Sequence, residues 1–144
     1  MKNTRLAKKY LSQIGLMKVR IEQRQREANE IRELAMSTGA IDYSKEKVDG
    51  GKFSNVQEEM IVKYSDMLEE IDGKIHDMKN LQHKIIGEIQ ALENENHVKI
   101  LELIYVDGKR LNQVAMEMGF SVSYVKHMHV KALLVFYNKY KGII

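Results

Sequence analysis

The sequence predicts an all-α protein: a long antiparallel helical hairpin, packed as a coiled coil, followed by a helix-turn-helix. Three observations carry that prediction. The 144 residues include no proline, the residue that breaks helix interiors by removing a donor and clashing with the preceding turn. Apolar residues recur at a seven-residue period through residues 54–96. Further on, Ala115, Gly119 and Ser121 stand at the spacing at which two helices cross, turn and restart.

The first predicted helix covers residues 4–38. Ala7, Ile14, Ile21, Ala28 and Ala35 form one apolar row, and Tyr10, Met17, Arg24 and Ile31 the other. Arg24 interrupts the seam, and an acidic residue on the opposing helix is its expected partner. Ser37-Thr38-Gly39 supplies a glycine-type end. Residues 39–53, with Gly50-Gly51 and several charges, read as a loop.

The second long helix opens at Ser54, which has the spacing of a capping box with Gln57. Its rows are Ile61, Leu68, Ile75, Gln82, Ile89 and Tyr64, Ile71, Met78, Ile85, Leu92. Met60, Met67 and Leu81 widen the stripe, which suits packing against more than one helix. Gln82 is the polar member of the seam, the kind of residue that sets register or oligomer state. The nine methionines read as seam and core fillers. Each helix would run on the order of 55 Å at the standard rise. Residues 1–93 are thus expected to form a hairpin and oligomerisation region, and residues 94–144 a separate domain.

Charge is segregated along the chain. The balance is +5 over residues 1–38, zero over 39–53, −6 over 54–96 and +4 over 97–144. The overall +3 therefore hides an acidic helix between two basic segments. A basic and an acidic helix attract across a seam, and each is disfavoured from pairing in parallel with its own copy. No acidic residue follows Glu117, whereas Lys126, Lys131, Lys139 and Lys141 do, so the last third suits a polyanion. The acidic face reads as solvated, or as a contact for basic surfaces of RNA polymerase.

Other classes are disfavoured. With no cysteine there is no disulfide framework and no zinc–thiolate site, which fits a reducing cytoplasm. No apolar stretch approaches the roughly 20 residues that span a bilayer, and no apolar signal region follows Met1–Arg5. There is no phosphate-cradling glycine motif, no cysteine nucleophile and no Ser-His-Asp arrangement, so neither an enzyme nor a cofactor is expected. His127 and His129, two apart on a helix, point about 200° from each other and cannot share a metal ion. His129 reads as a packed or hydrogen-bonded residue, and His76 and His83 as solvated ones.

The last third is predicted in more detail. Glu93-Asn94-Glu95-Asn96 breaks the long repeat with cap-type residues, and Val98, Ile100, Leu101, Leu103, Ile104 and Tyr105 form a short apolar run. Asp107-Gly108 marks a turn. Val114, Met118, Phe120, Val125, Met128 and Ala132 fall where a helix-turn-helix buries its contacts. The second helix of the motif should run from Val122 to Tyr140, with Val122, Ser123, Lys126, His127 and Val130 exposed.

From about residue 95 to 138 the chain resembles region four of bacterial sigma factors of the major class. The shared pattern runs from Gln113-Val114-Ala115 through Gly119-Phe120-Ser121 to Val125, Met128 and Lys131-Ala132-Leu133. The whole chain also resembles phage and prophage regulators of the ArpU and RinA type, in Tyr43-Ser44-Lys45-Glu46-Lys47-Val48 and in Met128-His129. The sigma pattern is broken at two places. Val122 and Ser123 stand where sigma readers carry arginine and glutamate, so their base preference does not transfer. Arg110 stands where such proteins often have a Thr or Ser cap.

The resemblance implies a sequence-specific, DNA-binding transcription regulator, encoded by a phage or prophage and activating late genes in the bacterial cytoplasm. A DNA-packaging protein of the terminase small-subunit kind and a coiled-coil adaptor are the alternatives. Residue chemistry assigns Val122, Ser123, Tyr124, Lys126 and His127 to base edges: a methyl contact, hydroxyls, an ammonium for guanine acceptors and an imidazole, with Tyr124 and His127 able to bond bases or phosphates. It assigns Lys109, Arg110, Ser121, Lys131 and Lys139 to phosphates. Because +4 is a modest charge, two linked copies would bind much better than one, so double-stranded DNA and a second copy of the chain are the expected partners.

Overall fold

The computed structural model describes residues 1–37 and 55–144, with no strand among them. The chain forms α1 (Lys2–Leu11), α2 (Gln13–Ser37), α3 (Asn55–Gln90), α4 (Glu95–Leu101), a π-helical turn (Glu102–Val106), α5 (Leu111–Met118) and α6 (Val122–Tyr140). The all-α class is as the sequence predicts. The glycine end at Thr38-Gly39, the loop 39–53 with its Tyr43–Val48 stretch, and the cap at Ser54 lie outside the described residues.

By packing, the chain divides into two units: Met1–Val19 with Lys79–Ile144, and Arg20–Met78. The start of the hairpin thus shares a core with the helix-turn-helix, whereas charge and motif draw their line between 1–93 and 94–144.

In the first unit the helical N-terminus is not a single rod. Ser12 separates α1 from α2 while keeping right-handed helical dihedrals. Its hydroxyl donates to the Lys8 carbonyl at 2.6 Å, and the Gln13 amide donates to the Tyr10 carbonyl at 3.0 Å. Side chains that bond backbone carbonyls in this way loosen and bend helices, which is the physical reason for the break. The end of α3 runs antiparallel to this segment: Tyr10 meets Glu88 and Ile14 meets Gln82. The polar seam residue is therefore satisfied, with Gln82 Nε2 donating to the Ile14 carbonyl at 3.0 Å. A buried amide without such a partner would cost about 1–3 kcal/mol.

Around that pair the C-terminal helices close a core. Ala7, Leu11, Ile85, Ile89, Ile100, Leu101, Val114, Val125 and Phe136 are all buried in it. Phe136 stacks between Tyr10 and Tyr140, with ring centroids at 5.9 and 4.8 Å. Tyr10 donates to the Glu88 carboxylate at 2.6 Å and Tyr140 to the Glu88 carbonyl at 3.0 Å. One residue of α3 thus ties α1 to α6. Burial and then the hydrogen bond to Glu88 push the Tyr10 hydroxyl well above its usual pKa.

In the second unit α2 and α3 meet through Ala28, Ile31 and Ile71, flanked by half-buried Tyr64, Met67, Leu68 and Ile75. All but Met67, which is expected to widen the stripe, are residues of the predicted rows. Arg24 is not answered from the opposing helix: its guanidinium pairs with Glu27 of its own helix at 2.8 Å. An arginine at the margin of a two-helix seam reaches solvent and an (i, i+3) neighbour more easily than it crosses the seam.

Candidate nucleic-acid interface

The helix-turn-helix is built by local chemistry at each junction. Asn94 ends the irregular stretch after α3 and caps α4, its side chain accepting from the Asn96 and His97 backbone N–H groups. The π-helical turn that follows is closed by Asp107 N–H to the Glu102 carbonyl at 2.9 Å. No motif in the sequence announces it: the apolar run from Val98 to Tyr105 passes through it with neither glycine nor proline to mark a change of helix type. Gly108 follows with φ 69°. At the start of α5 the Arg110 N–H donates to Gln113 Oε1 at 3.0 Å. This is one half of a capping box; arginine has no acceptor with which to make the other.

The turn itself needs its glycine. Gly119 has φ 73°, ψ 28°, a left-handed conformation that side chains oppose, and the Phe120 N–H returns to the Ala115 carbonyl at 3.0 Å. Ser121 then caps α6, its Oγ accepting from the Tyr124 N–H at 3.1 Å. Val114, Ala115, Val125, Met128 and Ala132 are buried and Met118 is half-buried. Phe120 departs from expectation. It is 38% exposed and packs its ring on Tyr124 at 4.9 Å instead of entering the core. The ring thus covers the first turn of α6.

Along α6 the pattern has two sides. Val125, Met128, Ala132 and Phe136 repeat at three and four residues and are buried. Val122, Ser123, Tyr124, Lys126, His127 and Val130 are exposed. The five residues assigned to base edges therefore gather at the accessible start of one helix. The phosphate candidates are less uniform. Lys131 is exposed on the same helix. Lys109 Nζ is held 2.6 Å from Glu117 Oε2, so its charge is partly answered. Lys139 donates to the Ala91 carbonyl at 2.6 Å, about 25 Å along the helix axis from Val122. Its ammonium serves the end of α3.

Behind this surface lies a half-buried polar pair. The Tyr105 hydroxyl and His129 Nε2 share a hydrogen bond of 2.8 Å, linking the π-helical turn to α6. Burial, then the positive charge of Lys8, holds His129 below the usual histidine value, and burial pushes Tyr105 well above the usual tyrosine value. His129 is thus a packed, hydrogen-bonded residue.

Beside the exposed face is a cleft of about 170 Å³ between the start of α4 and α6, lined by Asn96, His97, Tyr124, His127 and Lys131. Sequence reasoning marks Asn96 only as a cap-type residue and assigns His97 no role, since both precede α5 and only the tertiary fold brings them to α6. His97 Nδ1 is buried with no hydrogen-bond partner among the described residues. Burial, then the charge of Lys131, holds His97 below the usual histidine value. Among the described residues no three of His, Cys, Asp or Glu come together as a metal site, and no helix is long and apolar enough to cross a membrane.

Neither a curated protein nor a solved structure matches the chain. One family model does, over residues 35–134, a span that holds α3, the cleft and the helix-turn-helix through Leu134. The chain belongs to that family, DUF1492, described as a protein of unknown function.

Proposed function

We propose that this protein is a sequence-specific, double-stranded-DNA-binding transcription regulator whose reader is the α5–α6 pair. The observation that carries the reading is the combination at one helix start: a glycine turn at φ 73°, a serine cap, and an exposed set of Ser123, Lys126 and His127 with no carboxylate after Glu117. In a reader of this type the first turns of the second helix enter the major groove, where a lysine reaches guanine acceptors and a serine serves either partner. The resemblance to sigma region four and to phage regulators of the ArpU and RinA type supports the same reading, with late-gene activation in a bacterial cell as the role and RNA polymerase as a further contact.

Self-association belongs to the proposal. The exposed Leu16 and Val19 of the first unit, and Leu34, Met36 and Val62 of the second, are apolar surface available to a second copy. A dimer would double a modest positive charge on DNA. The decisive experiment is selection of bound fragments from the source genome by the wild-type protein and by Lys126→Ala and Ser123→Ala. The expected result is enrichment of one site, with about 1–3 kcal/mol of discrimination lost at the base each side chain reads. Unchanged affinity and preference in both variants would rule out α6 as the reader. Equilibrium sedimentation showing a monomer at micromolar protein would remove the self-association. A ring of many subunits on packaging-site DNA would turn the reading toward a terminase small subunit, and an absence of salt-sensitive DNA binding toward an adaptor.

A further inference from the structure

We infer that the cleft between α4 and α6 is a seat for one backbone phosphate of the DNA, set beside the bases that α6 reads. The inference rests on the DNA-binding reading above and adds to it a site outside the helix-turn-helix motif. Three observations carry it.

The lining is one-sided in charge. Lys131 supplies an ammonium, His127 and His97 supply imidazoles, Tyr124 a hydroxyl and Asn96 an amide, and no carboxylate lines the cleft among the described residues. Donors without a counter-charge suit an anion and repel a metal cation. The cleft also contains an unmet polar atom. His97 Nδ1 is buried and unpaired among the described residues, and such an atom destabilises its surroundings until it finds a partner. In the tautomer that carries its proton on Nδ1, and with the ring turned about its Cβ–Cγ bond to bring that atom into the cleft, it donates to a phosphate oxygen.

Position gives the third argument. Tyr124, His127 and Lys131 are spaced at three and four residues, so they form one line down the side of α6 next to Ser123, Lys126 and Val130. An anion held on that line is adjacent to the base-reading face, where a groove-bound helix meets the backbone. Phosphate contacts of this kind fix the register of a reader and carry no sequence information themselves. The seat would therefore set how deep α6 lies and leave base preference to its exposed face.

The test uses the full chain and a mixed-sequence DNA duplex, with affinity measured between about 50 and 200 mM salt. Lys131→Ala and His97→Leu are compared with Lys84→Ala, which removes the same charge from α3 away from the cleft. Far-UV circular dichroism checks that each variant keeps its helices. Lys131→Ala is expected to reduce the slope of log affinity against log salt by about one, and to weaken binding uniformly across sequences. His97→Leu is expected to weaken binding on the order of tenfold. Lys84→Ala should match the wild type. A Lys131→Ala slope equal to that of the wild type, or His97→Leu binding equal to wild type, would overturn the seat while leaving the α6 reading intact. A wild-type protein that shows no salt-dependent binding would overturn both.

Discussion

The seam of the second unit and the core of the first are written in the same alphabet, yet they bury very different amounts. Among the described residues of 20–78, Ala28, Ile31 and Ile71 make the buried cluster while Tyr64, Met67, Leu68 and Ile75 stay half-exposed. In the first unit Phe136, Leu11, Ile85, Ile89 and Ile100 are fully buried. The difference lies in the number of helices that converge. Two helices cover one stripe of each other, whereas α1, α3, α4, α5 and α6 surround a common centre. Periodicity tells which residue faces inward; it does not tell how much protein waits there.

The strongest way to break this comparison is truncation in each core. Phe136→Ala should cost about 3–5 kcal/mol and Ile71→Ala about 2 kcal/mol, because the thinner seam relaxes around the smaller residue. Urea denaturation monitored by circular dichroism gives both values, and an equal or reversed order would show that the seam is better buried than the described side chains indicate.

Two Gly→Ala substitutions sharpen it next. At Gly119, held at φ 73°, alanine should destabilise by about 1–2 kcal/mol. At Gly73, inside α3 with nothing within 4 Å of an added Cβ, alanine should stabilise by about 0.5–1 kcal/mol. Thermal melts of the pair test whether the same change has opposite signs in a turn and a helix.

The first unit should also respond to pH through the Tyr105–His129 bond. His129 is lowered from 6.5, so below that value the unfolded chain binds the extra proton first and stability falls as pH drops. Tyr105 is raised from 10.0, so above that value the unfolded chain loses its proton first and stability falls as pH rises. The melting midpoint should be flat between these limits, and His129→Phe should shallow the acid limb. Tyr10, raised in the same sense, adds to the alkaline limb. An acid limb unchanged in the variant would assign it to other groups, His97 among them.

The smallest effect belongs to Arg24. Its pair with Glu27 is more than one-third exposed on both sides, so Arg24→Leu should change stability by less than about 0.5 kcal/mol. A larger loss would mean that the guanidinium does hold an opposing partner.

Much of the site was legible because its requirements are local. A left-handed turn selects glycine, a helix start selects a serine acceptor, and a helix face repeats every three to four residues; Gly119, Ser121 and the two sides of α6 follow. Phe120 was misread because a ring at a turn can pack on either side of the chain, and here it packs on Tyr124 of the next helix. Lys109 and Lys139 carried the right charge for phosphate, but Glu117 and the Ala91 carbonyl, distant in sequence or across a turn, engage them first.

By itself, then, the amino-acid order determined the helical class, the inward rows, the span of α6 and the turn that precedes it, since each depends on neighbours within a few positions. The tertiary structure decided what those rows pack against. It brought α1 onto α6 through Tyr10 and Phe136, satisfied Gln82 on the Ile14 carbonyl, bonded His129 to Tyr105 and set His97 beside Lys131. These contacts join residues about 20 to 130 positions apart, and nothing in local propensity distinguishes them until the helices have packed.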